Sequence, residues 1–174
     1  MAQTPVDAGE FARLFAAEAP RVWRVLRRLG IAEADLEDVC QEVFLVVYRR
    51  WHEFRGASTL RTWIYGIALR KALGQRRREH VRDAVPLAHE PSVAPEQQQA
   101  LESSEQRRLL QSALDRLGDG KREVFVLYEL EQLAMREVAN ALELPLHTAY
   151  ARLYAARSEL GATLRRLIGP GGRP

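Results

Sequence analysis

The chain has 174 residues, of which 47% are hydrophobic and 28% charged, and its formal net charge is +3. This composition supports one medium domain or two small ones and excludes a wholly disordered chain. The single cysteine, Cys40, excludes an internal disulfide and favours a reducing compartment. There is no run of 18 apolar residues and no leader-like N-terminus, so we expect a cytoplasmic protein without membrane insertion.

Charge divides the chain into three parts. Residues 1–83 and 105–174 are net basic, whereas residues 84–104 contain three prolines and acidic side chains but no lysine or arginine. Such a segment buries too little apolar area to offset the cost of ordering its backbone. We therefore predict two small helical domains, residues 8–82 and 105–168, joined by a flexible acidic linker over residues 83–104.

Apolar residues recur at helical spacing in both folded parts, which predicts an all-α protein. The first helical stretch, residues 11–29, contains Pro20, where we expect an interruption or a kink. The second, residues 35–51, carries an apolar stripe on one face and polar residues on the other. The stripe comprises Leu36, Val39, Cys40, Val43, Val47 and Trp51.

A third helix is predicted over residues 59–78, preceded by a glycine-containing loop at residues 54–59. Ser58 or Thr59 is the expected N-cap of this helix. Its apolar positions predict a core role for Trp63, and its end is strongly basic. The apolar positions are Leu60, Trp63, Ile64 and Ile67.

The second folded part has the pattern of a helix-turn-helix. Residues 133–142, a break at residues 143–145 and residues 146–160 have the lengths of a support helix, a turn and a longer second helix. Small and polar residues at the start of that second helix, with arginines at its flanks, suit entry into a major groove. A helical hairpin with a solvated outer face fits the same pattern equally well. The inward positions are Ala149, Leu153, Ala156 and Leu160.

Two stretches together resemble a known family. Residues 37–44 (EDVCQEVF) and 54–68 (FRGASTLRTWIYGIA) are similar to region 2 of the extracytoplasmic-function (ECF) sigma factors of bacterial RNA polymerase. Residues 113–157, which contain REVF, REVA, the Leu-Pro of the turn and two arginines in the second helix, resemble region 4 of the same family. The order, the spacing and the linker match, and the resemblance covers residues 8–168.

The resemblance implies that the second helix docks on core RNA polymerase, at the β′ clamp helices, with the β subunit as a further contact. The helical wheel agrees, because the matching residues lie opposite the apolar stripe. An alternative role for Asp35, Glu37 and Asp38 is to favour the positive N-terminus of their own helix, and for Asp35 this alternative is preferred. The implied polymerase-binding residues are Asp38, Gln41, Glu42 and Leu45.

The resemblance also implies that the loop and the third helix read and open the −10 element by capturing a base turned out of the strand. Gly56 lets the backbone approach a nucleotide, and the hydroxyls of Ser58 and Thr59 can hydrogen-bond or cap. The basic helix end is a candidate phosphate track, although a solvated basic end fits the same pattern. The candidates are Arg55, Gly56, Ser58, Thr59, Arg70, Lys71, Arg76, Arg77 and Arg78, with Arg82 in the same basic run.

For region 4, the resemblance implies that the second helix of the helix-turn-helix reads the −35 element. The candidates are His147, Thr148, Ala151 and Arg152, with Arg136 and Arg157 as phosphate contacts. The chain departs from the family pattern at several positions, so the promoter sequence cannot be inferred. Arg70 stands where Asn is common, Gly74 where Asp is common, Glu143 where the turn has Gly, and Ala149-Tyr150-Ala151 where Val-Lys-Ser is usual.

Nothing in the sequence indicates catalysis. There is no Gly-rich phosphate loop and no Glu-x-x-His, and four scattered histidines do not form a metal motif, so we expect no enzyme activity, cofactor or metal. Cys40 lies on the apolar face and is expected in the core.

We therefore expect a sigma initiation factor that binds core RNA polymerase and promoter DNA. An anti-sigma factor is a further candidate partner, since many family members have one. The alternative is a helix-turn-helix regulator with an N-terminal sensing or dimerisation module. A third reading is a helical protein that only sequesters another factor.

Overall fold

The computed structural model describes residues 7–82 and 98–168, and the described part consists of helices without strands, which confirms the all-α prediction. A 3-10 turn at Glu33–Asp35 precedes the second helix, another at Trp51–Glu53 follows it, and a π-helical turn at Val126–Leu130 continues the fifth helix. The α-helices are α1 (Ala8–Arg28), α2 (Leu36–Arg49), α3 (Leu60–Arg82), α4 (Gln98–Asp115), α5 (Asp119–Phe125), α6 (Met135–Ala141) and α7 (Leu146–Ile168).

Helices α1, α2 and α3 form the first domain, and each packs against the other two. The side chain of Asp7 caps α1 by accepting a hydrogen bond from the Glu10 N–H at 3.2 Å. The predicted apolar stripe is buried from Leu36 to Val47, and Cys40 lies in the core as expected. Its last member, Trp51, is only partly buried and lies in the 3-10 turn that follows α2. Fully buried side chains from all three helices meet at the centre, including Val22, Leu26, Leu36, Val43, Val47, Ile64 and Tyr65.

The expected interruption at Pro20 does not occur, because α1 runs through this residue. Proline removes one helical hydrogen bond, but Pro20 lies on the exposed side of α1. The next turns bury Val22, Val25 and Leu26 completely, and this packing favours a continuous helix.

Helices α4 to α7 form the second domain, in which α7 packs against α4, α5 and α6. The predicted helix-turn-helix is present as α6, a turn and α7. Glu143 occupies the turn with φ of +54°, a left-handed conformation that favours glycine. The turn is held by the Leu144 N–H, which donates to the Ala139 carbonyl at 2.8 Å.

The predicted linker is shorter than expected at its C-terminal end, because α4 begins at Gln98 rather than after residue 104. The segment 97–102 reads QQQALE, and glutamine, alanine, leucine and glutamate all favour helices. These propensities outweigh the lack of aromatic residues in this segment. The remainder of the predicted linker, residues 83–97, lies outside the described residues.

The two domains pack against each other, with α3 against α6. At their junction Arg122, which is 2% exposed, donates to the Leu114 carbonyl at 2.7 Å and to the Leu117 carbonyl at 3.3 Å within its own domain. It also donates to the Leu29 carbonyl of the first domain at 3.1 Å. Gly30 has φ of +90°, and a Cβ atom there would overlap the Arg122 guanidinium.

We predict that Gly30→Ala destabilises the protein more than Gly56→Ala does. Both glycines have positive φ, so both variants suffer backbone strain of about 1–2 kcal/mol. Only Gly30 faces a neighbour, whereas nothing lies within 4 Å of a Cβ on Gly56. Displacing Arg122 separates its buried guanidinium from its carbonyl acceptors, which adds roughly 1–3 kcal/mol. Urea unfolding measures both variants, and equal losses would contradict the close contact.

Candidate polymerase and nucleic-acid interfaces

The four residues expected to face polymerase lie along the outer face of α2, opposite its buried stripe. Asp38, Gln41 and Leu45 are exposed, and Glu42 is half-buried. Glu42 accepts a hydrogen bond from Lys71 Nζ at 2.8 Å, and this bond lowers the pKa of the Glu42 carboxyl. The face therefore presents an ionised carboxylate, a carboxamide and an apolar side chain side by side.

Large apolar side chains border this face, and the sequence reading missed two of them. Leu45 is 53% exposed, Tyr48 50% and Phe15 41%. The Tyr48 ring packs edge-on against Phe11 at 5.1 Å between centroids, and Phe15 packs in the same way against Phe44 at 4.8 Å. Exposed aromatic and aliphatic groups next to polar residues are typical of protein interfaces. Leu45 and Tyr48 are three residues apart and therefore neighbours on one helix face, and this spacing was the signal in the sequence.

The loop before α3 presents the predicted −10 residues. Arg55 and Gly56 are exposed, and Gly56 has φ of +71°. Thr59 is the N-cap of α3, since its Oγ1 accepts a hydrogen bond from the Thr62 N–H at 3.1 Å. Ser58 is half-buried, and its hydroxyl donates to the Thr59 carbonyl at 3.3 Å.

Trp63 is partly buried, packs on the core and meets the Phe54 ring with centroids 5.5 Å apart. It stands at the boundary between the loop and the interior, which agrees with its expected core role.

The basic residues of α3 are not equally available. Lys71 pairs with Glu42, Arg76 forms an ion pair with Asp119 of the second domain, and Arg70 approaches Glu143 of that domain at 3.4 Å. Arg77 and Arg78 are exposed, and the Arg78 guanidinium donates to Gln75. The side chain of Arg82 lies outside the described part. Two members of the predicted phosphate track thus contact the other domain.

The outer face of the helix-turn-helix carries the predicted −35 residues. His147 and Ala151 are exposed on α7, Thr148 is half-buried, and Arg136 is exposed on α6. The exposed Arg157 donates from Nε to Glu129 at 2.6 Å and lies 5.9 Å from the Tyr154 ring centroid.

Arg152 differs from the other predicted −35 residues. It is half-buried, and a Cβ on Gly120 would come within 2.6 Å of Arg152 Nη1, so the guanidinium lies against the first turn of α5. Its charge also acts on the buried carboxyl of Glu123. In this position Arg152 supports the domain interior rather than the outer face.

Three large apolar side chains lie exposed on α7, and the sequence reading did not assign them to DNA. Leu146 is 38% exposed, Tyr150 40% and Tyr154 63%. They are four residues apart, so they form one stripe beside His147 and Ala151. Apolar groups on a groove-facing helix can contact thymine methyl groups. The spacing was visible in the sequence, but Tyr150 was noted there only as a departure from the family pattern.

Comparisons with known proteins assign the two domains. The Sigma-70 region 2 family matches residues 14–82, and the Sigma-70 region 4 family matches residues 107–160. The ECF sigma factor RpoE of Cereibacter sphaeroides is 28% identical over 155 residues, which are 88% of this chain and 86% of that protein. The ECF sigma-E factor of Escherichia coli is 28% identical over 149 residues, 79% and 78% of the two chains.

The ECF sigma factor SigE of Mycolicibacterium smegmatis is 32% identical over 146 residues, 82% of this chain and 56% of that protein. Among solved structures, CnrH in complex with the cytosolic domain of CnrY superposes with a TM-score of 0.70 at 26% identity, covering 92% and 91% of the chains. RpoE of Bartonella quintana in complex with the anti-sigma factor NepR gives 0.74 at 19% identity, covering 90% and 97%, which shows the shared fold.

The chain belongs to the ECF sigma factors of the sigma-70 family. Its function is that of an initiation factor for RNA polymerase. The presence of region 2 as well as region 4 excludes the alternative in which the helix-turn-helix serves a regulator with an unrelated N-terminal module. The first domain is region 2 and the second is region 4. None of the helices in residues 7–82 and 98–168 is long and apolar enough to cross a membrane.

Region 4 of this sigma factor contains a buried carboxyl at its boundary with region 2. Glu123 is 7% exposed and lines a narrow cleft with Leu29, Ala72 and Leu73 of region 2. Burial, followed by the charge of Asp119, raises its pKa from 4.5 to about 7, against the opposing effect of the nearby arginines. These arginines are Arg152, Arg76 and Arg122. The ionised form of Glu123 is therefore disfavoured in the folded protein.

We predict that Glu123→Gln flattens the pH dependence of stability. The folded protein keeps the Glu123 proton to about pH 7, whereas the unfolded chain releases it near 4.5, so the stabilisation is complete below 4.5 and lost as pH rises through about 7. The wild type should lose roughly 2–3 kcal/mol relative to the variant between pH 5 and pH 8. Urea unfolding at both pH values measures this difference, and parallel profiles would contradict the buried carboxyl.

Proposed function

We propose that this sigma factor docks on core RNA polymerase through the outer face of α2 and opens the −10 element with the loop and helix that follow. The observation that carries the proposal is the set of exposed groups at Asp38, Gln41 and Leu45, which lie on α2 opposite its buried stripe. A carboxylate, an amide and an apolar group in one row can bind a mixed helical surface such as the β′ clamp helices. Tyr48 and Phe15 extend this surface on its apolar side.

For the −10 element, the chemistry lies in the loop at residues 54–59. Gly56 is exposed, without a neighbour within 4 Å of a Cβ, so a nucleotide backbone can approach it closely. Arg55 supplies a positive charge next to it, and the hydroxyls of Ser58 and Thr59 supply hydrogen-bonding groups. A base that leaves the stack and binds here makes strand opening favourable, because the unstacking cost is offset by binding.

For the −35 element, we propose that α7 enters the major groove with its N-terminal half. His147, Thr148 and Ala151 face base edges, with Tyr150 as a further contact, and Arg136 and Arg157 meet phosphates from either side. Arg152 is the weakest candidate for a base contact, because it lies against Gly120. Arg152 remains among the proposed residues because it can act indirectly, by fixing the position of α7 against the first turn of α5.

We also propose that the chain acts by binding alone, without a catalytic step, and that it works in the cytoplasm, where its polymerase is found. Nucleotidyl transfer remains with the polymerase. The solved complexes of CnrH with CnrY and of the Bartonella quintana RpoE with the anti-sigma factor NepR support an anti-sigma factor as an additional partner.

Run-off transcription tests the proposal as a whole. Purified bacterial core RNA polymerase is incubated with fragments of the source genome, with and without the protein. We expect discrete transcripts only when the protein is present, because core polymerase alone does not select start sites. The start sites then give the −10 and −35 sequences. If the protein binds neither polymerase nor promoter fragments, the proposal is wrong.

We predict that the double variant Asp38→Ala with Leu45→Ala weakens binding to core polymerase while region 2 stays folded. Both side chains are exposed, so their loss removes interface contacts without opening a cavity. Interface residues of this kind contribute roughly 1–3 kcal/mol each, so the dissociation constant should rise at least about tenfold. Fluorescence anisotropy with labelled protein measures it.

A matched control is Glu33→Ala, an exposed acidic residue outside the proposed face. It should bind polymerase as the wild type does. Unchanged affinity of the double variant, with native circular dichroism, would remove α2 from the interface.

A further inference from the structure

The outer face of α7 lacks strongly charged side chains over residues 146–158. The inner face is fixed by Ala149, Leu153 and Ala156, which are buried in region 4. At 100° per residue, the opposite positions are His147, Ala151, Tyr154 and Ser158, and all four are exposed. None of them is an arginine, lysine, aspartate or glutamate. The face that meets the major groove in the proposed function therefore offers no guanidinium, ammonium or carboxylate to a base.

The two arginines at the flanks of this face are held by region 4 itself. The half-buried Arg152 lies against the first turn of α5, where a Cβ on Gly120 would come within 2.6 Å of Arg152 Nη1. Arg157 directs Nε and Nη2 to Glu129 Oε1, at 2.6 Å and 2.5 Å. The commonest specific contact to guanine needs two arginine donors aimed together at a base edge. Neither arginine presents such a pair of donors here.

Tyr154 dominates the outer face instead. At 63%, it is the most exposed of the large apolar side chains in the described residues. Its ring centroid lies 5.9 Å from Arg157 Cζ. Because Glu129 fixes Arg157, this cation–π contact limits the rotamers of Tyr154 and keeps its ring on the outer face. The ring is thus oriented before any ligand binds.

The spacing of the outer residues matches that of stacked base pairs. His147, Ala151 and Tyr154 are separated by four and three residues, which is about 6 Å and 4.5 Å along the helix at 1.5 Å per residue. Neighbouring base pairs are about 3.4 Å apart. Along a groove, the three side chains therefore cover roughly three base pairs. Ala151 and Tyr154 are neighbours on one helix face and can contact the same base.

Thymine is the base that offers an apolar group to such a face. Its C5-methyl group projects into the major groove, whereas adenine, guanine and cytosine carry no methyl group there. The Tyr154 ring and the Ala151 methyl group can enclose this methyl group. That contact removes apolar surface from water and needs no further hydrogen-bond partner.

Exposed cations near this face favour duplex DNA over a second protein as its ligand. Arg136 is exposed on α6, and Arg165 and Arg166 are exposed farther along α7. Phosphates line both walls of the major groove, so a helix that lies in the groove brings such cations close to them. The apolar groups then face the bases while the cations face the backbone.

We infer that this sigma factor reads its −35 element through thymine methyl groups, with Tyr154 as the specificity-determining residue and Ala151 beside it. This inference rests on the proposed −35 role of α7. Tyr150, which is 40% exposed one turn before Tyr154, widens the apolar contact. The sequence preference of region 4 thus comes from the shape of an apolar surface, and the nearby arginines contribute affinity without selecting a base.

Uracil tests the inference, because it pairs as thymine does but lacks the methyl group. Start sites from run-off transcription by the wild type define the promoter. Labelled promoter duplexes are then made with each −35 thymine, on either strand, replaced in turn by uracil. Fluorescence anisotropy gives the dissociation constant for holoenzyme made from core RNA polymerase and the full-length protein. We expect at least one replacement to weaken binding about fourfold, as the loss of one buried methyl group predicts.

Two variants show whether the Tyr154 ring makes this contact. Tyr154→Ala should bind the thymine and uracil duplexes equally, because the ring is gone. Tyr154→Phe is the matched control and should keep the fourfold difference, because the apolar ring remains. Tyr154 is exposed, so both variants should fold. The ratio of the two dissociation constants cancels any general loss of affinity, which a merely structural role would produce.

Four results would overturn the inference. The first is a −35 element in which no thymine responds to uracil. The second is an unchanged ratio in Tyr154→Ala, which would place the methyl group against another residue. The third is loss of the ratio in Tyr154→Phe, which would assign the contact to the hydroxyl. The fourth is weaker binding of Tyr154→Ala to core polymerase with unchanged promoter affinity, which would make the face a protein contact.

These outcomes are distinct from failure of the proposed function. If the wild type gives no discrete start sites, the proposed function is wrong and the inference falls with it. If discrete start sites appear and binding is indifferent to uracil, the proposed function stands and only the inference is wrong.

Discussion

The buried guanidinium of Arg122 is the contact on which the arrangement of both domains depends. A buried cation is costly unless its donors are satisfied, and the nearest carboxylate oxygen, on Asp115, is 3.7 Å away. Compensation comes from the carbonyls of Leu114 and Leu117 at the end of α4 and of Leu29 at the end of α1. Helix C-termini carry partial negative charge, so they suit this cation. One of its three acceptors belongs to the other domain, and it exists only while the domains are packed.

The fold was largely predictable from the sequence, because helical periodicity is a local signal. The buried stripe of α2, the helix-turn-helix and an N-cap at Ser58 or Thr59 all follow from spacing and residue type. The continuity of α1 through Pro20 was not predicted, because tertiary packing outweighed the helix-breaking effect of proline. The start of α4 was not predicted either, because helix propensity outweighed the local signals for a linker. The outer face of α2 was predictable as an exposed surface, and the spacing of Tyr48 from Leu45 indicated that it belongs there. Phe15 was not predictable, because its exposure depends on how α1 crosses α2.

The partners of the charged site residues were beyond the reach of the sequence. In the sequence, Arg70, Arg76 and Arg152 look the same as Arg77. All four are arginines on predicted helices, and periodicity places each of them near a surface. Their difference lies in contacts between segments far apart in the chain, Arg70 with Glu143 and Arg152 with Gly120. A basic run therefore identifies a phosphate track only when the structure shows which of its members are already paired. Here Arg70 and Arg76 are paired at the domain junction, and Lys71 is paired with Glu42 inside region 2.

The contacts of the domain junction differ in strength. Its exposed ion pair between Arg70 and Glu143 contributes about 0–1 kcal/mol and is screened by salt. The enclosed contacts of Glu131 with Arg28 and Tyr65, and those of Arg122, contribute more, but each also carries a desolvation penalty that is relieved when the domains separate. The junction therefore depends on its few enclosed hydrogen bonds rather than on its exposed ion pairs.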